Sequence, residues 1–151
     1  MHRSIADLLS DARESGRGLP ATVLEAEVDE SGRTEEEIRQ RIRKTLRVMR
    51  KAMDEGLEGD VRSPSGLTGG RAARLFGDGP RLMGDTVTSI LSRAIATLEV
   101  NAAMGLIVAA PTAGAAGVLP SIILSAGEIL DEDDERLVDA MLVAGGVGGV
   151  I

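Results

Sequence analysis

A long uncharged stretch, from Ala102 to Gly127, sets the main constraint on the fold. None of its 26 residues is Asp, Glu, Lys or Arg. About 20 apolar residues are enough to cross a bilayer as a helix, so length alone would allow a membrane span. Two prolines and four glycines interrupt the stretch, however, and a loop from Pro111 to Gly117 would leave backbone groups unpaired in lipid. The sequence therefore predicts no membrane span, but two buried helices joined by a buried glycine-rich loop inside a larger protein.

The clearest single element is a long amphipathic helix that begins at Thr34. Thr34 and Glu37 have the spacing of a capping box, in which hydroxyl and carboxylate each accept from a backbone N–H at the helix start. Apolar residues then recur at steps of four, four, three, four and four, which places them on one stripe of a helix. These residues are Ile38, Ile42, Leu46, Met49, Met53 and Leu57. We expect the stripe to pack on a core, the arginine-rich face to lie in solvent, and the helix to end between Glu55 and Gly59.

Shorter elements precede this helix. The segment from Ser4 to Arg13 predicts a short helix, which Gly16 and Gly18 end. The segment from Leu19 to Val28 fits either a strand or a short helix. A turn is expected at Asp29–Gly32, where small and acidic residues cluster.

After the long helix the sequence predicts a loop and further helices. The segment Asp60–Pro80 is rich in glycine, proline and serine, and we expect a long loop with one helical turn at Ala72–Phe76. Gly84–Thr86 is expected to cap the next helix. The acidic cluster Asp131–Glu135 precedes the final apolar run, Leu137–Ile151, and predicts a helix cap, with a divalent-cation site as the alternative. No convincing series of strands and turns is present, so we predict an all-α fold with buried apolar carboxyl-terminal helices and glycine-rich loops.

The composition excludes several classes of function. The chain has one aromatic residue, Phe76, and a net charge of −7, so neither base stacking nor attraction to a polyanion supports a nucleic-acid partner. No cysteine is present, so these residues form no disulfide and no thiolate metal site. The only histidine is His2, at a terminus expected to fray, which excludes a histidine-based triad. Charges interrupt the amino-terminal segment before a signal-peptide core can form, so we expect a cytoplasmic protein.

The segment "PTAGAAG", which follows Ile107-Val108, is the first candidate for chemistry. We expect a loop that leads into a helix at Val118, with Pro120 in the first turn, where proline is tolerated. The amides of residues 114–117 would then point at one spot beside the positive end of the helix dipole. With the Thr112 hydroxyl they would suit a carboxylate or phosphate. The alternative is a tight crossover whose small residues only let two helices pack closely.

A second loop, "SPSGLTGGRA" from Ser63 to Ala72, has the same character. It carries hydroxyls at Ser63, Ser65 and Thr68 and glycines at positions 66, 69 and 70. It matches neither the Walker A pattern nor the dinucleotide fingerprint, so it identifies no nucleotide site. Two loops of glycine and hydroxyl residues in one small helical protein support a binding site more strongly together than either does alone.

Three segments, taken in order, resemble one enzyme family. They are "SGLTGG" (Ser65–Gly70), "EVNAAMG" (Glu99–Gly105) and "APTAGAAGVLP" (Ala110–Pro120), preceded by "GLEG" (Gly56–Gly59). In order and spacing they resemble the alpha chain of the bacterial iron–sulfur L-serine dehydratases, and the resemblance covers essentially all 151 residues. Arg71 departs from that family's pattern, in which an acidic residue frequently follows "TGG".

The resemblance implies a reaction and its cofactor. The family deaminates L-serine to pyruvate and ammonia with a [4Fe–4S] cluster and a beta domain or chain. In that family the cluster cysteines lie after the region matched here, so residues 1–151 are expected to be the amino-terminal part of an alpha-type domain that lacks the cluster ligands. The apolar end "MLVAGGVGGVI" has no cap or polar tail and also predicts an incomplete unit. The expected partners are L-serine, the beta domain or chain, and the remainder of the alpha domain.

The resemblance also implies where the substrate binds. Thr112 and Gly114, with neighbouring amides, are expected to hold the substrate or line the cluster cavity. Asn101, Ser65 and Thr68 are expected to add polar contacts to the substrate. No catalytic base is identified in these residues, and no metal ligand is expected among them.

Three other functions are alternatives to this one. A pyridoxal-phosphate dehydratase needs a Schiff-base lysine, but Lys44 and Lys51 both lie on the long amphipathic helix with no phosphate loop beside them. An L-cysteine desulfidase on the same scaffold stays open. So does a non-catalytic helical module whose apolar carboxyl-terminal half docks into another chain.

Overall fold

The computed structural model describes residues 4–77, 83–110 and 112–150. Within these ranges the chain forms seven α-helices and no strand, which confirms the predicted all-α class. The helices are α1 (Ile5–Ser15), α2 (Leu19–Ser31), α3 (Glu35–Leu57), α4 (Arg71–Gly77), α5 (Gly84–Ala102), α6 (Ala113–Leu130) and α7 (Asp134–Gly148). Four residues named above, His2, Pro80, Pro111 and Ile151, lie outside the described residues.

The helices belong to two compact units. The first contains the described residues up to Lys44 and from Glu132 onward, and the second contains Thr45 to Asp131. Helices α1, α2 and α7 lie in the first unit, α4, α5 and α6 lie in the second, and α3 contributes to both. All the segments that carry the family resemblance therefore lie in the second unit.

The first two helices begin and end at the residues that favour those positions. The Ser4 hydroxyl accepts a hydrogen bond from the amide of Asp7 at 3.1 Å, which caps α1, and Gly16 ends it in the left-handed conformation. The ambiguous segment from Leu19 is a helix, α2. It continues to Ser31, so the turn expected at Asp29–Gly32 is wrong except at Gly32, whose positive φ ends the helix.

Helix α7 begins with a carboxylate cap and packs closely on α2. The Asp133 carboxylate accepts from the amide of Arg136 at 2.9 Å, so the acidic cluster caps the helix as predicted. Among the described residues no group of three or more His, Cys, Asp or Glu side chains is placed to hold a metal ion. Further along α7, a Cβ added to Gly146 would stand 2.5 Å from Cγ2 of Val23. Glycine is therefore needed at this position for the contact between α2 and α7.

Helix α3 confirms the predicted capping box and apolar stripe. The Thr34 amide donates to Glu37 Oε2 at 2.9 Å, and the Glu37 amide donates to Thr34 Oγ1 at 3.3 Å. Along the stripe Ile38, Leu46, Met49 and Met53 are buried, and Ile42 and Leu57 are half-buried.

Two expectations for α5 and α6 are wrong. Residue 113 starts α6, whereas a start at Val118 was expected, because the Thr112 hydroxyl accepts from the amide of Ala115 at 3.1 Å and caps the helix there. Pro120 consequently lies inside α6 and not in its first turn. The glycine-rich segment is thus mostly helix, and residues 103–110 form the non-helical connection that precedes it.

The start of α5 also differs from the expectation. The helix begins at Gly84, but no side-chain hydrogen bond caps it. Asp85 instead lies in the first turn, where its negative charge favours the helix dipole. The helical turn expected at Ala72–Phe76 is confirmed as α4, one residue longer at each end.

No helix in the described part of the chain is long and apolar enough to cross a membrane. Within the uncharged stretch, α5 ends at Ala102 and α6 begins at residue 113. The cytoplasmic location stays a prediction.

Candidate functional site

The carboxyl-terminal half of α5 is the place where the motif segments meet. A Cβ added to Gly56 would stand 2.6 Å from Cα of Ala96, so the "GLEG" segment at the end of α3 lies directly on α5. A Cβ added to Gly117 would stand 2.7 Å from the carbonyl oxygen of Ala94, so the "APTAG" helix also lies on α5. The glycines at positions 56 and 117 therefore allow the backbones of α3 and α6 to come close to the backbone of α5.

Glu99 joins α5 to the loop that carries "SGLTGG". Its Oε1 accepts from the amide of Arg71 at 3.0 Å, and its Oε2 accepts from the amide of Ala72 at 3.3 Å. These two amides belong to the first turn of α4, where backbone N–H groups have no partner within the helix. Glu99 is 2% exposed, so its charge depends on these partners and on the positive end of α4.

The loop from Ser63 to Gly70 is held by its own hydrogen bonds. The Ser63 amide donates to the Thr68 carbonyl at 2.8 Å, and the Thr68 amide donates to Ser63 Oγ at 3.1 Å. The hydroxyls of Ser63 and Ser65 are 3.1 Å apart. These bonds close the loop on itself, so it is a compact turn with the Ser65 side chain at its exposed tip and Thr68 half-buried.

Glycine is required where this loop joins α4. Gly69 and Gly70 have φ values of 142° and 73°, which L-residues rarely adopt. A Cβ on Gly70 would stand 2.5 Å from Nη1 of Arg62, and a Cβ on Gly69 would collide with the carbonyl oxygen of Val61. The pair of glycines after Thr68 thus lets the chain fold back over Val61 and Arg62.

The start of α6 offers fewer free amides than the sequence suggested. The Ala115 amide is bonded to the Thr112 hydroxyl, and the Ala116 amide donates to the Thr112 carbonyl at 3.2 Å. Gly117 packs on α5, as described above. We expected the amides of residues 114–117 to converge on one anion. For the amides of Ala115 and Ala116 this expectation is wrong, because both already donate to Thr112. Gly114 lies in the first turn, is exposed, and has open space where a Cβ would be.

A family model described as serine dehydratase alpha chain matches residues 14–151. The chain belongs to the serine dehydratase alpha chain family. Over its whole length it is 37% identical to the probable L-serine dehydratase alpha chain of Bacillus subtilis, of which it covers 51%. It is 32% identical, again over its whole length, to the L-serine dehydratase alpha chain of Peptoniphilus asaccharolyticus, of which it covers 53%.

A further relative is the L-serine dehydratase of Streptomyces coelicolor. The identity is 35% over 94% of this chain and 32% of that protein. The chain thus spans about half the length of the Bacillus and Peptoniphilus relatives and a smaller share of the Streptomyces protein. No solved structure matches it.

The predicted site residues lie on α5 or on segments joined to it. Asn101 is exposed in the last turn of α5, two residues after Glu99. Ser65 and Thr68 lie on the loop that Glu99 connects to α5. Thr112 and Gly114 begin α6, which packs on α5. Their roles in binding stay predictions.

Glu99 was not predicted as a separate site residue, although it is the first residue of the segment "EVNAAMG". The signal was nevertheless present, because Glu99 is the only charged residue between Arg93 and Glu128. A lone charge within a long apolar stretch must find buried partners or not be buried at all.

Three large apolar side chains near these motifs are exposed. Leu67 in the "SGLTGG" loop is 79% exposed, and Met104 and Leu106 in the connection after α5 are 83% and 72% exposed. Met104 also has a positive φ of 66°, a conformation that is uncommon for a residue other than glycine. Apolar groups are thus exposed on the loop that carries Ser65 and Thr68 and on the connection between Asn101 and Thr112.

A cavity in the first unit is separate from this group of residues. It has a volume of about 430 Å³ and an apolar floor that includes Val23, Ile38 and Leu142. Charged side chains, among them Glu30 and Arg41, also line it. None of its lining residues belongs to a motif segment, so the cavity does not change the position of the candidate site.

Proposed function

We propose that the chain is part of an L-serine dehydratase, which converts L-serine to pyruvate and ammonia. The observation that carries the proposal is the meeting of the family's motif segments on α5, through the Glu99 hydrogen bonds and the close approach of Gly117 to Ala94. Membership of the serine dehydratase alpha chain family supports it, as do the names of the relatives in Bacillus and Peptoniphilus.

The reaction requires groups that remove a proton, assist the departure of the hydroxyl and hold the carboxylate of the substrate. A base removes the proton from Cα, the hydroxyl leaves with its bonding electrons, and the resulting aminoacrylate takes up water to give pyruvate and ammonia. The substrate carboxylate must be held in a fixed position while this occurs, because correct orientation lowers the barrier. We assign substrate holding, and not the base, to this chain.

The start of α6 supports a carboxylate contact at Thr112. The Thr112 oxygen already accepts from the Ala115 amide, so its own O–H is free to donate to another group. The Gly114 amide lies in the same first turn, where the helix dipole favours a negative charge. In the proposal these two groups bind the carboxylate of L-serine. Ser65, Thr68 and Asn101 contact the amino and hydroxyl groups of L-serine.

The residues of this chain do not fit an iron–sulfur cluster. Such clusters are held mainly by cysteine thiolates, and the 151 residues contain no cysteine. The [4Fe–4S] cluster that the family resemblance implies therefore belongs, in this proposal, to the rest of the complete protein. We assign this chain no part in ligating it.

The exposed apolar residues support a role for other protein segments in completing the site. Leu67 lies on the loop with Ser65 and Thr68, and Met104 and Leu106 lie on the connection between α5 and α6. Burying each side chain would be favourable by about 2 kcal/mol. We propose that the remainder of the alpha domain, or a beta domain or chain, covers them. The name "alpha chain" in two relatives agrees with a partner chain.

The test is reconstitution of the complete enzyme. The full-length alpha chain is assembled anaerobically with its beta partner, and pyruvate release is measured with L-serine and with L-cysteine as separate substrates. Turnover of L-serine is expected. Turnover of L-cysteine alone would assign the desulfidase reaction, and an intact assembly inactive on both would leave the non-catalytic interaction module.

A further inference from the structure

Glu99 is the buried charge in the second unit that the proposed reaction does not use. It is the only charged residue between Arg93 and Glu128, and it is 2% exposed. A carboxylate in this environment is retained only if hydrogen bonds replace its water. Both of its oxygens accept from backbone amides, at 3.0 and 3.3 Å. These two bonds use one acceptor site on each oxygen and hold the carboxylate in place.

The two hydrogen bonds link α5 to the chain directly after the "SGLTGG" loop. The donors are the amides of Arg71 and Ala72, and Gly69 and Gly70 immediately precede them. Gly69 and Gly70 adopt positive φ and pack against Val61 and Arg62, so the loop turns back on the chain before it. The Glu99 pair is a polar contact that joins the first turn of α4, directly after these glycines, to α5.

The loop follows the first turn of α4 as one body. Its hydrogen bonds run within the loop, from Ser63 to Thr68 and between the hydroxyls of Ser63 and Ser65. A shift of the α4 start therefore moves Ser65 and Thr68 together and leaves the internal bonds intact. Asn101, two residues from Glu99 on α5, stays where it is.

The geometry points to Glu99 as a positioning residue that sets the Ser65 and Thr68 hydroxyls at a fixed distance from Asn101. It acts through the backbone of Arg71 and Ala72 and does not touch the substrate. This inference rests on the proposed function, because it assumes that the two hydroxyls and Asn101 contact L-serine. The inference adds to that function the residue, Glu99, that holds the two hydroxyls in place relative to Asn101.

The experiment breaks the link from each side in the complete, reconstituted enzyme. Glu99→Gln replaces one acceptor oxygen by an NH2 group, which faces an amide N–H and cannot accept from it. Arg71→Pro removes the amide that donates to Oε1, at the first position of α4, where proline is tolerated. Arg71→Ala is the matched control, because it removes the same side chain and keeps the amide.

We expect a rise in KM for L-serine of about tenfold for Glu99→Gln, and of about tenfold for Arg71→Pro relative to Arg71→Ala, with kcat changed less than KM. Amide hydrogen exchange of residues 63–72 should be faster in both variants. A purely structural role would lower the amount of active enzyme and leave KM unchanged. Unchanged KM in both comparisons would overturn the inference. If Glu99→Gln does not fold, the Arg71 pair decides.

Failure of the proposed function gives a different result. In that case the unmodified enzyme has no activity on L-serine, whatever the variants do. The exchange measurement then still tests the link itself: faster exchange at residues 63–72 in Arg71→Pro but not in Arg71→Ala supports the positional role, and equal exchange contradicts it.

Discussion

Both terminal nitrogens of Arg39 donate to the same carboxylate oxygen of Asp139, at 3.0 and 2.8 Å, and so join α3 to α7 within the first unit. The side chains are only 24% and 22% exposed, so solvent screens the pair less than it screens a surface ion pair. The two residues are 100 positions apart. The contact therefore ties the carboxyl-terminal helix to a helix from the first third of the chain.

Breaking this pair is expected to cost measurable stability. Asp139→Asn keeps the size of the side chain and removes its charge, so we expect the free energy of unfolding to fall by about 1 kcal/mol. Urea unfolding measures the change, and a double-mutant cycle with Arg39→Ala isolates the coupling. The exposed pair Lys51–Glu55 is the control and should give a coupling near zero. Equal couplings for the two pairs would contradict the role assigned to burial.

The neighbouring pair of Arg43 and Glu135 makes the free energy of unfolding depend on pH in the acid range. A hydrogen bond from Arg43 Nε to Glu135 Oε1, at 2.7 Å, lowers the pKa of Glu135 below its usual 4.5. When the pKa of a carboxyl group is lower in the folded state, its stabilisation is complete at a pH above its pKa in the unfolded state. The stabilisation is lost as the pH falls through its pKa in the folded state. Glu135→Gln should therefore flatten the fall of the thermal midpoint below pH 4.5 and leave it flat above. A parallel curve, merely displaced at all pH values, would refute this assignment.

The sequence predicted α3 and the acidic cap of α7 because the forces that set them are local. Thr34 and Glu37 are three residues apart and bond each other, and Asp133 bonds an amide three residues on. Hydrogen bonds at such separations are visible in the sequence as spacing. The same holds for the apolar stripe, since a helix converts spacing directly into one face.

The start of α6 was predicted too late because the glycines and proline indicated a loop, although the Thr112 cap is local. The role of Glu99 was not predicted because it depends on distant residues. Glycine and proline in "PTAGAAGVLP" predicted a loop, but Gly117 allows α6 to lie against Ala94 of α5, and packing there favours the helix. Glu99 and its donors are 27 and 28 residues apart. The sequence marks Glu99 as an isolated charge, and only the structure shows which amides it meets.

Gly56, the one glycine of α3, should tolerate substitution poorly. A Cβ at this position would stand 2.6 Å from both Cα and the carbonyl carbon of Ala96, and backbone atoms cannot move aside cheaply. Gly56→Ala is therefore expected to destabilise the chain by about 1–3 kcal/mol. Gly145→Ala in α7 is the control, because nothing lies within 4 Å of the added atom, and it should be neutral or stabilising by up to about 1 kcal/mol. Thermal unfolding of the two variants checks the order, and a Gly56→Ala variant as stable as the original chain would show that α3 and α5 are not in close contact.

Thr112 has a capping role that must be separated from its proposed role in binding. Thr112→Val removes the oxygen that accepts from the Ala115 amide, so we expect a loss of about 1 kcal/mol of stability, as for other helix caps. Ser4→Ala removes the equivalent cap of α1 and is the matched control for stability alone.

In the reconstituted enzyme, Thr112→Val should also lower kcat/KM for L-serine by about tenfold or more, because the hydroxyl donor to the carboxylate is gone. Thr112→Ser keeps both oxygen and hydrogen and should restore most of each property. If Thr112→Val and Ser4→Ala lose the same stability and neither loses turnover, Thr112 is a helix cap and nothing more, and substrate holding by this chain must be sought at Ser65, Thr68 and Asn101.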